Sequence, residues 1–258
     1  MKKMLLAQKE VLCNNLLRNS VKGVPSFISR LFLLLVSFSL SVTIIAQPNS
    51  EADKEAAYKK VLTERSAKIV NTLGITDSAK YKKVLDGLVN QYFQVNTIHE
   101  NNKLAVANIK AGTQTEQEKT TAISNLEEKK SAALLQLHGQ FISLLQKQLS
   151  KEQVEAVKNG MTYNVLNVTY TAYQDMIPTL TATQKAKIYD WLLEAREKAM
   201  DEGSSDDKHK MFGKYKGRIN NYLSGEGYNM KDEEKAWQQR LREKREKEAA
   251  AKQQQSSK

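Results

Sequence analysis

The sequence predicts an all-α fold, a mostly antiparallel helical bundle with a long projecting helical hairpin, and three observations predict it. Prolines are scarce, because after Pro48 only Pro178 interrupts the chain and long helices meet no obstacle. Apolar residues recur at helical spacing, as in Val84, Leu88, Tyr92 and Val95 and again in Leu134, Leu137, Phe141 and Leu144. Serines and threonines stand where helix starts need side-chain acceptors.

Taken in order, Ser50 caps a first helix from Glu51 to Asn71, and Thr76 caps a second that runs to about Lys110. Gly112 breaks the chain. A third helix, roughly Glu116 to Leu149, returns antiparallel because so short a connection leaves little alternative. The far end of this hairpin is polar, with His99-Glu100-Asn101-Asn102-Lys103 on one arm and Glu127-Glu128-Lys129-Lys130 on the other, so the tip projects past the core. Leu149-Ser150-Lys151-Glu152-Gln153 and Leu180-Thr181-Ala182-Thr183-Gln184 both read as capping boxes with a leading hydrophobic staple. Ile75-Thr76-Asp77-Ser78-Ala79 is a poorer third copy without the glutamine.

The stretch from Gly160 to Pro178 holds β-branched residues and tyrosines that suit a strand. A lone strand would be unstable, however, and Leu166, Tyr170, Tyr173 and Ile177 step at helical intervals. A helix ending before Pro178, after a bend near Gly160, is the prediction. Two more helices follow, from Thr181 to about Glu202 and from Ser205 to about Ser224, separated by Gly203-Ser204. The first turns Ile188, Leu192, Ala195 and Ala199 inward, and the second Phe212, Tyr215, Ile219 and Tyr222.

Ahead of all this lies an uncharged run, Leu31 to Ala46, behind a basic leader and ending at Ala46-Gln47-Pro48. It is too short to span a bilayer and fits a secretory signal peptide cleaved near Ala46. The domain layout is therefore a signal peptide over 1–46, one helical domain over 47–230, and a charged C-terminal helix with a frayed tail over 231–258. The expected address is the periplasm or the exterior, with no stable membrane insertion after cleavage. The only cysteine, Cys13, goes with the leader, so neither a disulfide nor a lipid anchor is expected of the exported chain. Cleavage also lowers the net charge from +11 to +6. The remaining positive charge is scattered or sits in the mixed-charge tail, which argues against a nucleic-acid partner. In that tail Trp237 is expected to dock on the bundle and residues after about Lys244 to fray.

Chemistry concentrates between residues 190 and 222. Asp190, Glu194, Glu197 and Asp201 fall on one helical face, and Lys210, Lys214 and Arg218 form a basic line on the next helix. One reading is two solvated faces joined by weak surface ion pairs. The other is a polar cleft in which Trp191, Glu194, Lys214, Arg218, Asn220 and Asn221 bind a ligand. Flat apolar rings beside forked donors and acceptors suit sugars, and the cations would complement uronate carboxylates. Trp191, at the edge of its stripe, is the stacking platform on this reading. Gly213 and Gly217, four apart, allow either close helix packing or approach of a ligand.

Glu194-Ala195-Arg196-Glu197-Lys198-Ala199-Met200-Asp201, Gly203-Ser204-Ser205 and the run from Phe212 to Leu223 resemble a secreted Bacteroidota family. That family is known as a domain of unknown function and described as sugar-binding, and the resemblance spans about Glu51 to Arg242. It implies an accessory role in polysaccharide utilisation, with glycan or oligosaccharide as partner, and no catalytic residues to carry over. The two capping boxes are also similar to the LTxxQ motif of periplasmic Spy/CpxP-like proteins, which implies as alternative a chaperone or stress-sensing protein with a protein partner.

An unrecognised carbohydrate-active enzyme is the second alternative, and the residues give it little. The exported part has three histidines, no HExxH, no GxSxG and no phosphate-binding glycine loop. No cofactor is expected. His209 beside Asp206 and Asp207 suggests helix-start chemistry rather than a metal site, and the carboxylate stripe offers only a generic acid/base pair.

Overall fold

The computed structural model describes residues 50–256, and among them eight α-helices account for the secondary structure with no strand. These are α1 (Glu51–Val70), α2 (Ser78–Ala111), α3 (Glu116–Gln148), α4 (Lys151–Met161), α5 (Val165–Met176), α6 (Ala182–Met200), α7 (Ser205–Gly225) and α8 (Met230–Ser256), with a 3₁₀ turn at Asn71–Leu73. The expected signal peptide and the basic leader lie outside the described residues. No described helix is long and apolar enough to cross a membrane.

Helix starts follow the side chains that cap them. Ser50, Thr115, Ser150 and Thr181 each accept a hydrogen bond from the third residue of α1, α3, α4 and α6, whose side chain reaches back to the cap amide. Each such cap is worth about 1 kcal/mol. One cap differs from expectation: Asp77, not Thr76, caps α2, its carboxylate accepting from the Lys80 amide at 2.9 Å. The shift follows the chemistry, since a carboxylate outbids a hydroxyl for a helix N-terminus. The two glutamines also tie elements together. Gln153 Nε2 donates to the Leu73 carbonyl at 2.8 Å, and Gln184 Nε2 to Glu226 at 3.0 Å. Gly74 takes the left-handed backbone (φ 65°) that closes the turn between α1 and α2.

The ambiguous stretch is helical. α4 runs through Gly160 to Met161, and the bend falls three residues later than expected, at Tyr163 and Asn164, both left-handed. The Asn164 amide donates to the Asn159 carbonyl at 2.7 Å, and α5 then ends before Pro178.

α2 and α3, about 50 Å long at 1.5 Å per residue, form the hairpin. Their base belongs to a first apolar cluster with α1 and α4 that includes Leu62, Val70, Val84, Leu88, Phe141, Leu145 and Val157. No side chain from residue 96 to residue 140 is fully buried, and past the contacts that His99 and His138 make with the end of α6 the hairpin projects. His99 is not part of the polar tip: its Nε2 lies 2.8 Å from the Asp201 carbonyl oxygen, at the end of α6.

A second apolar cluster, Leu166, Tyr173, Ile177, Ile188, Leu192, Phe212, Ile219 and Leu223 among others, joins α5, α6 and α7. Leu223 takes the core position expected of Tyr222, which sits half-buried at the border. α8 packs on α5 and α7. Arg240 donates to the Asp175 and Met176 carbonyls, both at 2.9 Å, and so clamps α8 to the end of α5. Helix α8 continues to Ser256, past the point where fraying is predicted, although every described side chain beyond Leu241 is exposed.

Candidate functional site

The two apolar clusters meet across a charged layer. Arg196, only 2% exposed, lies 2.7 Å from Glu155 and 2.8 Å from Glu197, and donates to Asn159 at 2.9 Å. Lys158 donates to Glu197 at 3.0 Å. His138 places Nδ1 2.9 Å from Asp201 and Nε2 3.5 Å from Glu197. Hydrogen bonds donated to Asp201 and then to Glu197 raise the His138 pKa to about 9. Burial by itself would raise the Glu197 carboxyl, but His138, Arg196 and Lys158 outweigh it and hold it at about 2.

This layer divides the four carboxylates of that helical face by their partners. Glu197 and Asp201 turn inward to the cations, and Asp190 and Glu194 stay outside. Glycoside cleavage needs one carboxyl kept protonated as the acid, and Glu197 is held the other way. The layer is a strut between helices. Sequence reading missed Arg196, Glu155, Lys158 and His138 as a group. A signal for Arg196 existed, since it lies four residues after Leu192 on the buried side of α6.

At the start of α7 the side chains are similarly occupied. Lys208, 4% exposed, donates to the Ala199 and Met200 carbonyls at 2.8 and 3.1 Å, and burial lowers its pKa to about 8. Asp207 accepts from Ser204 and Lys210, and the His209 ring stacks on Tyr163 at 5.4 Å.

Of the six site residues expected from the sequence, three meet directly on the α6/α7 face. The Arg218 guanidinium lies 4.6 Å from the Trp191 ring centroid, and Glu194 stands 3.6 Å from Arg218 Nη1. Tyr222 meets Trp191 edge-on at 5.3 Å. The Trp191 ring offered for sugar stacking is thus already in contact with a cation. Lys214 and Asn221 are exposed and share the Arg218 side of α7, four residues before it and three after. Asn220 departs from the set. At 100° per residue it lies roughly 160° round the helix from Arg218, and its Oδ1 accepts from the Tyr173 hydroxyl at 2.6 Å.

Asn220 belongs instead to a groove of about 380 Å³ between α5, α7 and α8. Val168, Ala172 and Met176 of α5 and Met230 and Trp237 of α8 supply its apolar lining, and Thr169, Tyr173, Lys216, Asn220 and Glu234 its polar groups. Trp237 Nε1 is buried with no hydrogen-bond partner among the described residues. Among the described residues only Oδ1 of Asn220 is engaged, and its amide nitrogen has no hydrogen-bond partner. A larger, shallower depression of about 630 Å³ lies over α3 around Leu135, Gly139 and Leu144, and no ring lines it. The outer face of α7 is bare at Gly213 and Gly217, where an added Cβ would meet nothing within 4 Å. Close helix packing therefore does not explain these two glycines.

The sequence model of a family described as "Protein of unknown function (DUF3826)" matches residues 59–243, from within α1 to within α8. No curated protein matches the chain.

Proposed function

We propose that this chain, which belongs to the DUF3826 family of proteins of unknown function, is an exported, non-catalytic glycan-binding protein that serves polysaccharide use, with the α5–α7–α8 groove as its binding site. The observation that carries the reading is a groove lined by the Trp237 ring that also presents the Asn220 amide and the Lys216 ammonium, with the Trp237 N–H buried in its wall and without a partner among the described residues. A buried donor without a partner costs about 1–3 kcal/mol, and a ligand acceptor in the groove would remove that cost. Ring faces, methionines and a few convergent polar groups in about 380 Å³ suit one or two sugar rings, and volumes from roughly 300 Å³ upward are common for ligand sites.

The test is a glycan array spanning neutral and acidic polysaccharides, followed by calorimetry on the purified protein. Binding should appear for at least one glycan class. Trp237→Phe, which keeps a ring and removes the N–H, should weaken it by about three- to tenfold, one neutral hydrogen bond's worth. It should do so without a comparable loss of thermal stability, because the N–H has no partner among the described residues. Absence of glycan binding, together with suppression of client aggregation at stoichiometric amounts, would overturn the reading in favour of a Spy/CpxP-like chaperone.

A further inference from the structure

The opposite side of α7 carries a second arrangement. Arg218 is half exposed, and its guanidinium carbon lies over the Trp191 ring, 4.6 Å from the centroid. A guanidinium has five N–H donors, and none of those on Arg218 is hydrogen-bonded among the described residues. Its one acidic neighbour, Glu194, stands at 3.6 Å and is shared with Lys198, which donates to it at 2.9 Å. Lys214, one turn earlier, is exposed and has no acidic partner among the described residues. Gly217 leaves the approach beside Arg218 open, and Asn221 adds an exposed amide on the same side.

We propose that Arg218, stacked on Trp191 and supported by Lys214 and Asn221, is a carboxylate-binding subsite for uronate-bearing saccharide chains, a claim that rests on the glycan-binding reading. A carboxylate accepts two parallel hydrogen bonds from a guanidinium fork, and the stack removes in advance much of the side-chain entropy that binding would otherwise cost. Lys214 lies about one helical turn away, near enough to favour an anionic chain over a single anion. The amide of Asn221 both donates and accepts, as the hydroxyls flanking a uronate carboxylate require. A helix face offers no free backbone edge for an extended acidic peptide, so the saccharide is the better match.

Calorimetry on the purified protein with a polygalacturonate fragment, the same fragment methyl-esterified, and polyglutamate tests this. The acidic fragment should bind about tenfold more tightly than its ester. Arg218→Lys, which keeps the charge and loses the fork, should erase most of that preference, and Lys214→Ala should reduce it by about threefold, all with unchanged melting. Equal affinity for acid and ester, or an unaltered preference in Arg218→Lys, overturns the subsite; if Trp237→Phe still weakens binding, the groove survives. Polyglutamate binding of equal strength and equal Arg218 dependence overturns the saccharide assignment. No binding of either fragment overturns the subsite as well.

Discussion

Arg196→Ala should destabilise the protein by about 3 kcal/mol, measured by urea unfolding, the lower end of the cost of removing one partner of a buried ion pair, because Arg196 is buried while Glu155 and Glu197 stay about a third exposed. Arg196 is 2% exposed and answers both Glu155 and Glu197, so its loss leaves Glu197 with Lys158 and His138 alone. Arg196→Met, which fills much of the same volume but still strands the carboxylates, should recover only part of the loss. The same layer sets a pH window. The folded pKa of His138 is raised to about 9 from 6.5, so its contribution is fully present below pH 6.5 and is lost as pH rises through 9. The folded pKa of Glu197 is lowered to about 2 from 4.5, so its contribution is present above pH 4.5 and is lost as pH falls through 2. From these two groups stability should be greatest between about pH 4.5 and 6.5, and His138→Gln should flatten the fall from pH 6.5 to 8, above which Lys208, lowered to about 8 from 10.5, adds stability with rising pH. A fall unchanged in that variant would remove His138 from the account.

Phe212→Ala should cost about 3–5 kcal/mol, because it empties the centre of the second apolar cluster. Phe212 is 1% exposed and packs with Leu192, Ile219 and other residues of α5, α6 and α7. The neighbouring Gly213→Ala is the control. An added Cβ there meets nothing within 4 Å, so it should stabilise α7 by up to about 1 kcal/mol through helix propensity. Opposite signs at adjacent positions would show that the core, not the helix itself, sets the cost. A Phe212→Ala loss below about 1 kcal/mol would mean that the cluster can collapse around the gap.

Local chemistry made much of this architecture legible. The cap at Ser50, the capping boxes at Ser150 and Thr181 and the apolar steps of Ile188–Leu192 and Phe212–Tyr215–Ile219 are short-range patterns, and the structure keeps them. The cap at Asp77 and the bend at Tyr163 and Asn164 differ because neighbouring candidates competed for one role, and spacing alone does not rank them. The candidate site was only half legible. Trp191, Glu194 and Arg218 come together because helices α6 and α7 are adjacent and their exposed stripes face the same way. Asn220 separates from them through a register fact, a rotation of 200° over two residues. The groove it joins depends on where α8 docks, and that is fixed by Arg240 reaching carbonyls some 64 residues away. The strut of His138, Glu155, Lys158, Arg196 and Glu197 is likewise assembled from three helices, and no local spacing announces it.

The most direct test of glycan binding in the groove uses the protein's own fluorescence. The chain has two tryptophans, so Trp191→Phe leaves Trp237 as the sole indole reporter. Titration of that variant with the saccharides that score on the array should shift and saturate the Trp237 emission, at the same concentration at which calorimetry reports binding to the same variant. Saturable binding by calorimetry with an unmoved Trp237 emission, or no response to any glycan by either method, would contradict the account.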